Sequence, residues 1–408
     1  MHHPAELPQS SLITWTEGDQ DCSAHWQSDT GLASPKRVMV ADDTLTADSA
    51  YRWACEGVGI LWQGDFQNAR QLLQALVRRV ERPSKKSHRI KANAPAAGTK
   101  DAFNLYRLSQ SQRARTLGML LIPFDAGHQI PLRRAPDVSL ACNEAMGHSD
   151  KPYVMSLREL LGMISAHEWR KKGIEIPMLH GEDSPGRIHA HYGVFAPLRA
   201  EYLPLVADAA MSAPVKKDAV AFDIGTGTGV LAALLAQRGY ARVIATDLNP
   251  RALRCARENI QRLGLAKQVK VMEADLFPPG RAAVVVCNPP WVPARPNSAL
   301  EQAVFDPDSA MLRGFLGGVV EHLSPGGEAW LVLSDLAERL GLRSRDELLE
   351  LIKLGGLKVK ARMDARPTHK KITDVSDPLH AARAAEVTSL WRLVHYEMPL
   401  NKNLFSYG

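Results

Sequence analysis

Ala221-Phe222-Asp223-Ile224-Gly225-Thr226-Gly227-Thr228-Gly229 changes character halfway along. The apolar first half reads as a buried strand. The alternating glycines read as a turn into a helix, where missing side chains let backbone N–H groups approach a ligand. Leu231, Leu234 and Leu235 give that helix an apolar side for a sheet. A second strand, Ala241 to Thr246, is closed by Asp247, at the place where a doubly wound sheet carries the carboxylate for the two hydroxyls of a ribose. Further on, Val284-Val285-Val286-Cys287 stops at Asn288-Pro289-Pro290-Trp291, at the carboxyl edge of a central strand, where open α/β sheets bind ligands. The two prolines stiffen this turn, so the Asn288 side-chain oxygen and the Pro289 carbonyl become two fixed acceptors. A planar amino group offers two donors to such a pair, and Trp291 would stack on the plane that carries it.

The spacing of Gly225, Gly227 and Gly229 behind Asp223, with no third glycine at the dinucleotide spacing, resembles motif I of the class I S-adenosylmethionine-dependent methyltransferases. The resemblance covers the chain from Gly193 to Tyr396. It implies an α/β fold with a Rossmann-like seven-stranded sheet, and S-adenosylmethionine as cofactor. It also implies roles: Asp223 near the methionine end beside Gly225, Thr226, Gly227 and Gly229, Asp247 on the ribose, Asp275 at the adenine, with Leu248 and Leu276 next to those acids. Asn288-Pro289-Pro290-Trp291 is similar to motif IV, Asn-Pro-Pro-aromatic, of methyltransferases that modify planar amines. Those include DNA and RNA adenine enzymes, ribosomal RNA guanine enzymes and release-factor glutamine enzymes. His191-Tyr192-Gly193-Val194-Phe195-Ala196-Pro197, followed by Arg199 and Glu201, resembles the segment that lies over the cofactor in these enzymes. That places Phe195 near the methionine moiety, although a hydrophobic staple before a helix at Glu201 to Ala210 accounts for Phe195 equally well.

The rest of the second half alternates strands and helices as a parallel sheet requires. Asn249 caps a helix with Pro250 in its first turn, Leu253, Ala256, Ile260 and Leu263 face inward, and Gly264 ends it. Val269 to Met272, Ala283 to Cys287 and Ala329 to Leu333 read as strands. Ser344-Arg345-Asp346-Glu347 is a capping box for a helix ending at Gly355-Gly356. Leu357 to Met363 and Val387 to Val394 are expected to close the sheet as an antiparallel pair.

The 408 residues are 45% hydrophobic and 23% charged, enough for two cores. We divide the chain into an irregular segment at 1–45, a substrate-recognition domain at 46–180 that is α/β or mostly helical, and the methyltransferase-like domain at 181–408. In the middle part Ala69, Leu72, Leu73, Leu76, Val77 and Val80 form one helical stripe from Asp65 onward. Asp101 to Leu117 reads as a second helix and Met119 to Phe124 as a buried strand. The charge is uneven: Lys and Arg far outnumber Asp and Glu between Arg70 and Arg134, most densely in the arm 78–91 with Lys85, Lys86 and Arg89. A polyanion such as RNA suits that arm, and a solvated loop explains it as well. No apolar run is long enough to span a bilayer, and the first residues lack the pattern of a secretory signal, so the expected compartment is cytoplasmic.

Five scattered cysteines suggest neither a disulfide framework nor a zinc knuckle; Cys255 and Cys287 read as core residues. His180, His189 and His191, with Glu182 and Asp183 near, match no zinc signature, and no metal is expected. Asp306-Pro307-Asp308 with Arg313, and the polar insertion from Arg366 to Arg383, border the expected cleft. Thr368-His369-Lys370-Lys371 suits phosphate contacts, whereas Asp377, His380 and Arg383 suit salt bridges within an ordered loop. The leading expectation is methyl transfer to a planar amine on an RNA base. A glutamine amide of a protein or an amine of a small metabolite would be served by the same residues. A methyltransferase fold that only grips RNA, and hydride transfer with a nicotinamide cofactor, are the rival classes; the intact acids with Asn288 count against the first, the glycine spacing against the second.

Overall fold

The computed structural model describes residues 12–82, 99–180, 185–198, 200–210, 218–296, 300–367, 374 and 377–396. Two compact units emerge: Met1–Gly173 with His189–Gly193 and Pro296–Gln302, and Ile174–Ile188 with Val194–Arg295 and Ala303–Gly408.

The first unit is α/β, with a six-stranded sheet. Its strands are β1 (Leu12–Glu17), β2 (Gln20–Trp26), β3 (Arg37–Ala41), β4 (Val58–Trp62), β5 (Leu120–Phe124) and β6 (Tyr153–Ser156), in the order β1-β2-β6-β5-β4-β3. Its helices are α1 (Ala47–Glu56), α2 (Phe66–Glu81), α3 (Lys100–Leu117), α4 (Ser139–Met146) and α5 (Leu157–Lys172). The segment expected to be irregular therefore holds three strands, a correction to the reading of 1–45. The reason is physical: β1 and β2 form a hairpin in which only Ile13 and Trp26 are buried, so almost no alternation reaches the sequence. The stripe from Asp65 is α2 as expected, with Phe66, Ala69, Leu72, Leu73 and Leu76 buried and Asp65 capping Gln67 N–H. Helices cover one face of the sheet, where Leu72, Leu76, Cys142 and Leu160 meet Ile60, Leu120, Ile122 and Met155. On the other face Ile13, Trp26, Leu61, Leu121 and Val154 pack together, and β1 lies against β3, so the sheet curls over its own core.

The second unit opens with the hairpin β7 (Ile174–His180) and β8 (Pro185–Ile188), followed by α6 (Tyr202–Asp208). The alternating chain follows: β9 (Val220–Ile224), α7 (Val230–Gln237), β10 (Arg242–Asp247), α8 (Pro250–Arg262), β11 (Val269–Glu273), β12 (Ala282–Cys287), α9 (Ala310–Gly318), β13 (Leu323–Ser334), α10 (Leu336–Arg339), α11 (Arg345–Leu354), β14 (Leu357–Ala365), α12 (His380–Ala384) and β15 (Thr388–His395). The seven strands run β11-β10-β9-β12-β13-β15-β14, with β15 antiparallel to both neighbours. Both faces are buried, so strands read as continuous apolar runs. Ala221, Val284 and Val286 face α6 and α7, while Phe222, Ile224, Val285 and Cys287 face α9 and α11. Among the described residues no helix is long and apolar enough to cross a membrane.

The order puts a reversal between β9 and β12. From β9 the chain winds outward through β10 and β11, then returns to place β12 on the other side. Ile224 and Cys287, the last residues of the two strands, are register partners. Gly225 and Asn288 therefore leave adjacent strands at the same level, at the opening such a reversal creates.

Candidate active site

Each glycine of the turn has its own reason. Gly225, Gly227 and Gly229 have φ of 70°, 55° and 82°, the left-handed region that an L side chain avoids. A Cβ on Gly229 would sit 3.3 Å from Cα and Cβ of Ala256, so here the missing side chain serves the approach of α8. A Cβ on Gly227 would meet nothing, so that position faces open space. At Gly225 the neighbour is the flexible Met311 methyl.

Asp223 anchors the turn from below. Its Oδ2 accepts the Thr226 hydroxyl at 2.6 Å and Ala232 N–H at 2.9 Å, whereas Oδ1 is buried without a partner. With 1% of its surface exposed, burial pushes its carboxyl up to about 7. Asp247, half-buried at the end of β10, accepts Gly227 N–H on Oδ2 at 3.0 Å and Asn249 N–H on Oδ1 at 2.8 Å. Burial raises its carboxyl as well. Leu248 N–H also turns toward this carboxylate. Leu248 beside it and Asp275 after β11 are exposed, and Leu276 is held at φ 66° with its carbonyl accepting the Thr246 hydroxyl at 2.6 Å.

Across the opening, Pro289 is buried and Asn288, Pro290 and Trp291 are half-buried. Trp291 Nε1 donates to Asn288 Oδ1 at 2.8 Å, and the indole packs against apolar groups of both core layers. Trp291 is thus not the free stacking plate its sequence suggests; one edge is spent in fixing Asn288. A residue that sequence reading missed completes the clamp. Tyr202, on α6, is buried, and its hydroxyl hydrogen-bonds the Asn288 side chain while burial pushes its own acidity out of reach. With the indole on Oδ1 and the phenol alongside, the Asn288 amide has one orientation.

Other candidates fall into place differently. Phe195 is exposed, next to Val194, which is buried against Ala252 and Cys255. Asp306 is a helix cap, its oxygens accepting Met311 and Leu312 N–H at 3.0 and 3.2 Å, and Asp306 N–H is tied to the Val292 carbonyl just after the tetrapeptide. Arg383 pairs with Asp377 at 2.7 Å, the structural role expected of them. His189 hydrogen-bonds the Arg170 carbonyl at 2.6 Å, and among the described residues no three His, Cys, Asp or Glu side chains converge as a metal site. Lys85, Lys86, Arg89, Glu182, Asp183, Arg199 and the Thr368 to Lys371 stretch lie outside the described residues.

Residues 187–342 match the family model described as the methyltransferase small domain. A release factor glutamine methyltransferase of Cereibacter sphaeroides is 38% identical over 138 residues, 30% of this chain and 49% of that protein. A tRNA1(Val) (adenine(37)-N6)-methyltransferase of Bacteroides fragilis is 33% identical over 159 residues, 35% of this chain and 67% of that protein. The chain belongs to the class I S-adenosylmethionine-dependent methyltransferases. It spans about half the length of the release factor methyltransferases it matches. Among solved structures, a ribosomal protein L11 methylase from Lactobacillus delbrueckii is 16% identical with a TM-score of 0.35, over 50% of this chain and 82% of that one.

The residues present suit the cofactor of that family. The orphaned Asp223 Oδ1 calls for a donor, the face of Gly227 is open, and the Asp247 carboxylate, an acceptor for hydroxyls, stands at the end of β10 beside that turn.

Proposed function

We propose that this methyltransferase acts on the nitrogen of a planar amine, and that the amine belongs to an RNA base. The observation that carries the reading is the fixed Asn288 amide, leaving β12 at the same level as the glycine turn leaves β9. S-adenosylmethionine, when bound, supplies a methyl group on a sulfonium. Asp223 and the turn Gly225 to Gly229 would hold its methionine end with Phe195 near, Asp247 and Leu248 its ribose, and Asp275 and Leu276 its adenine.

The second lone pair of Asn288 Oδ1 then accepts one N–H of the amine and the Pro289 carbonyl the other. Holding both protons in one plane directs the nitrogen lone pair out of that plane. Orientation of this kind supplies roughly 7 to 11 kcal/mol of a barrier. The methyl group would pass to that nitrogen as its bond to sulfur breaks, the electron pair staying on sulfur, and the nitrogen's proton would leave to water afterwards, so no carboxylate base is required. The open part of Trp291 flanks the acceptor.

Support for RNA comes from the basic composition between Arg70 and Arg134 and from the relative named for a tRNA adenine, two thirds of whose length is matched. The release factor relatives favour a second reading, a glutamine amide, which presents the same two N–H donors. Two measurements test this. Calorimetry is expected to show binding of S-adenosylmethionine and none of a nicotinamide dinucleotide. Labelled methyl donor, given to an extract of cells lacking the protein, is expected to enter RNA; entry into protein would replace the RNA reading by the amide one.

A further inference from the structure

Seven of the eight tryptophans are buried or half-buried, and Trp169 is 51% exposed. It sits near the end of α5 with Lys172 Nζ 5.8 Å from its ring centre. Arg158, Gly162, Ser165, Trp169 and Lys172 follow one another on one face of that helix, at spacings of four, three, four and three, and all five are exposed.

Much of the charge on α5 has a local explanation. Arg170, Lys171 and Lys172 suit the negative end of the helix dipole, and Arg170 and Lys171 pair with Glu144 and Glu168 at 3.2 and 3.4 Å. Arg158 has none. It lies in the first turn, where the dipole disfavours a cation. Partial burial and then the neighbouring Arg113 both weaken its hold on its proton, and no described carboxylate pairs with it. Arg113 itself reaches Glu81 at 2.5 Å. Gly162 is equally unexplained by packing. A Cβ there would meet nothing, yet glycine in a helix interior costs about 0.8 to 1.0 kcal/mol relative to alanine.

We propose that this face of α5 docks single-stranded RNA, with a base stacked on Trp169 beside Lys172 and the phosphates passing over Gly162 and Ser165 toward Arg158 and Arg113. Eleven residues of helix separate Trp169 from Arg158, about 16 Å. An indole face takes any unstacked base and cations track the backbone, whereas a duplex hides its bases. The face holds a single large apolar group, too little for a protein interface core. This inference rests on the RNA reading above.

The test is a fluorescence anisotropy titration of the full chain with a labelled, unstructured 12-nucleotide RNA and with the same strand as a duplex. Trp169→Ala is expected to weaken single-strand binding about tenfold without changing its salt dependence, and Trp169→Phe to restore most of the loss. Arg158→Ala is expected to lower the salt slope by about one. Single-strand affinity equal to wild type in Trp169→Ala would overturn the proposal, as would an equal loss on duplex. Methyl label entering protein while Trp169→Ala still loses RNA affinity would remove the RNA substrate and leave this surface standing. Label entering RNA with Trp169→Ala unaffected would do the reverse.

Discussion

Asp223 is a carboxylate kept half-satisfied, and that makes it a pH-sensitive residue. Its folded carboxyl sits at about 7, above its unfolded value. Between about pH 4 and 7 the folded state therefore holds a proton the unfolded state has lost, and stability falls as pH rises, by at most about 1.4 kcal/mol per unit. A cationic cofactor draws the same group into its ionised form, so cofactor affinity is expected to rise with pH up to about 7 and then level off. Asp223→Asn should flatten both profiles, measured by thermal melts of the free protein and by calorimetry at pH 5 to 8. Unchanged profiles in the variant would remove Asp223 from the cofactor site. Asn288→Ala should cut turnover about 10²- to 10³-fold, the scale for one well-placed polar group, with cofactor affinity within about threefold of wild type. Tyr202→Phe keeps the ring and deletes the hydroxyl that touches Asn288. A fall of about tenfold in kcat with unchanged cofactor affinity and melting temperature would mark it as the positioning residue; parallel loss of stability would mark it as packing only.

Gly229 and Gly227 belong to one turn but answer to different elements. Gly229→Ala adds a methyl against the α8 backbone at a left-handed φ, and a loss of about 2 kcal/mol or more in stability is expected, seen as a melting temperature lowered by several degrees. Gly227→Ala enters open space, so a smaller loss of stability is expected there, with cofactor affinity the quantity that suffers; calorimetry beside the melts separates the two. The turn, its flanking strands, α2, α8 and the Ser344 capping box were legible because each carries its signal locally, in apolar spacing or a cap residue. The hairpin β1–β2 was not, since Ile13 and Trp26 alone carry its buried face. Tyr202 was illegible for another reason: nothing in α6 announces that its second layer of contacts is a turn more than eighty residues later. The Trp291 bond to Asn288 lies in between. A three-residue separation in a proline-stiffened turn permits it, but only the fold shows that the indole turns back rather than outward.

At the scale of the chain, the two proposals assign different tasks to the two sheets, and hydrogen exchange can test both in one protein. The residues proposed for the cofactor all belong to the seven-stranded unit, and Trp169 with Arg158 and Arg113 to the six-stranded one. A ligand stabilises what it binds by RT ln(1 + [L]/Kd), about 2.7 kcal/mol at a hundred times Kd. S-adenosylmethionine at that level is expected to slow exchange in the turn Gly225 to Gly229, in α7 and at the end of β10, and to leave α5 unchanged. Single-stranded RNA is expected to slow exchange in α5, and more so in wild type than in Trp169→Ala. Protection of α5 by the cofactor alone would contradict this division. Protection of α5 that appears with RNA in wild type and vanishes in Trp169→Ala would tie the exposed indole to substrate capture and leave Asn288 with the chemistry.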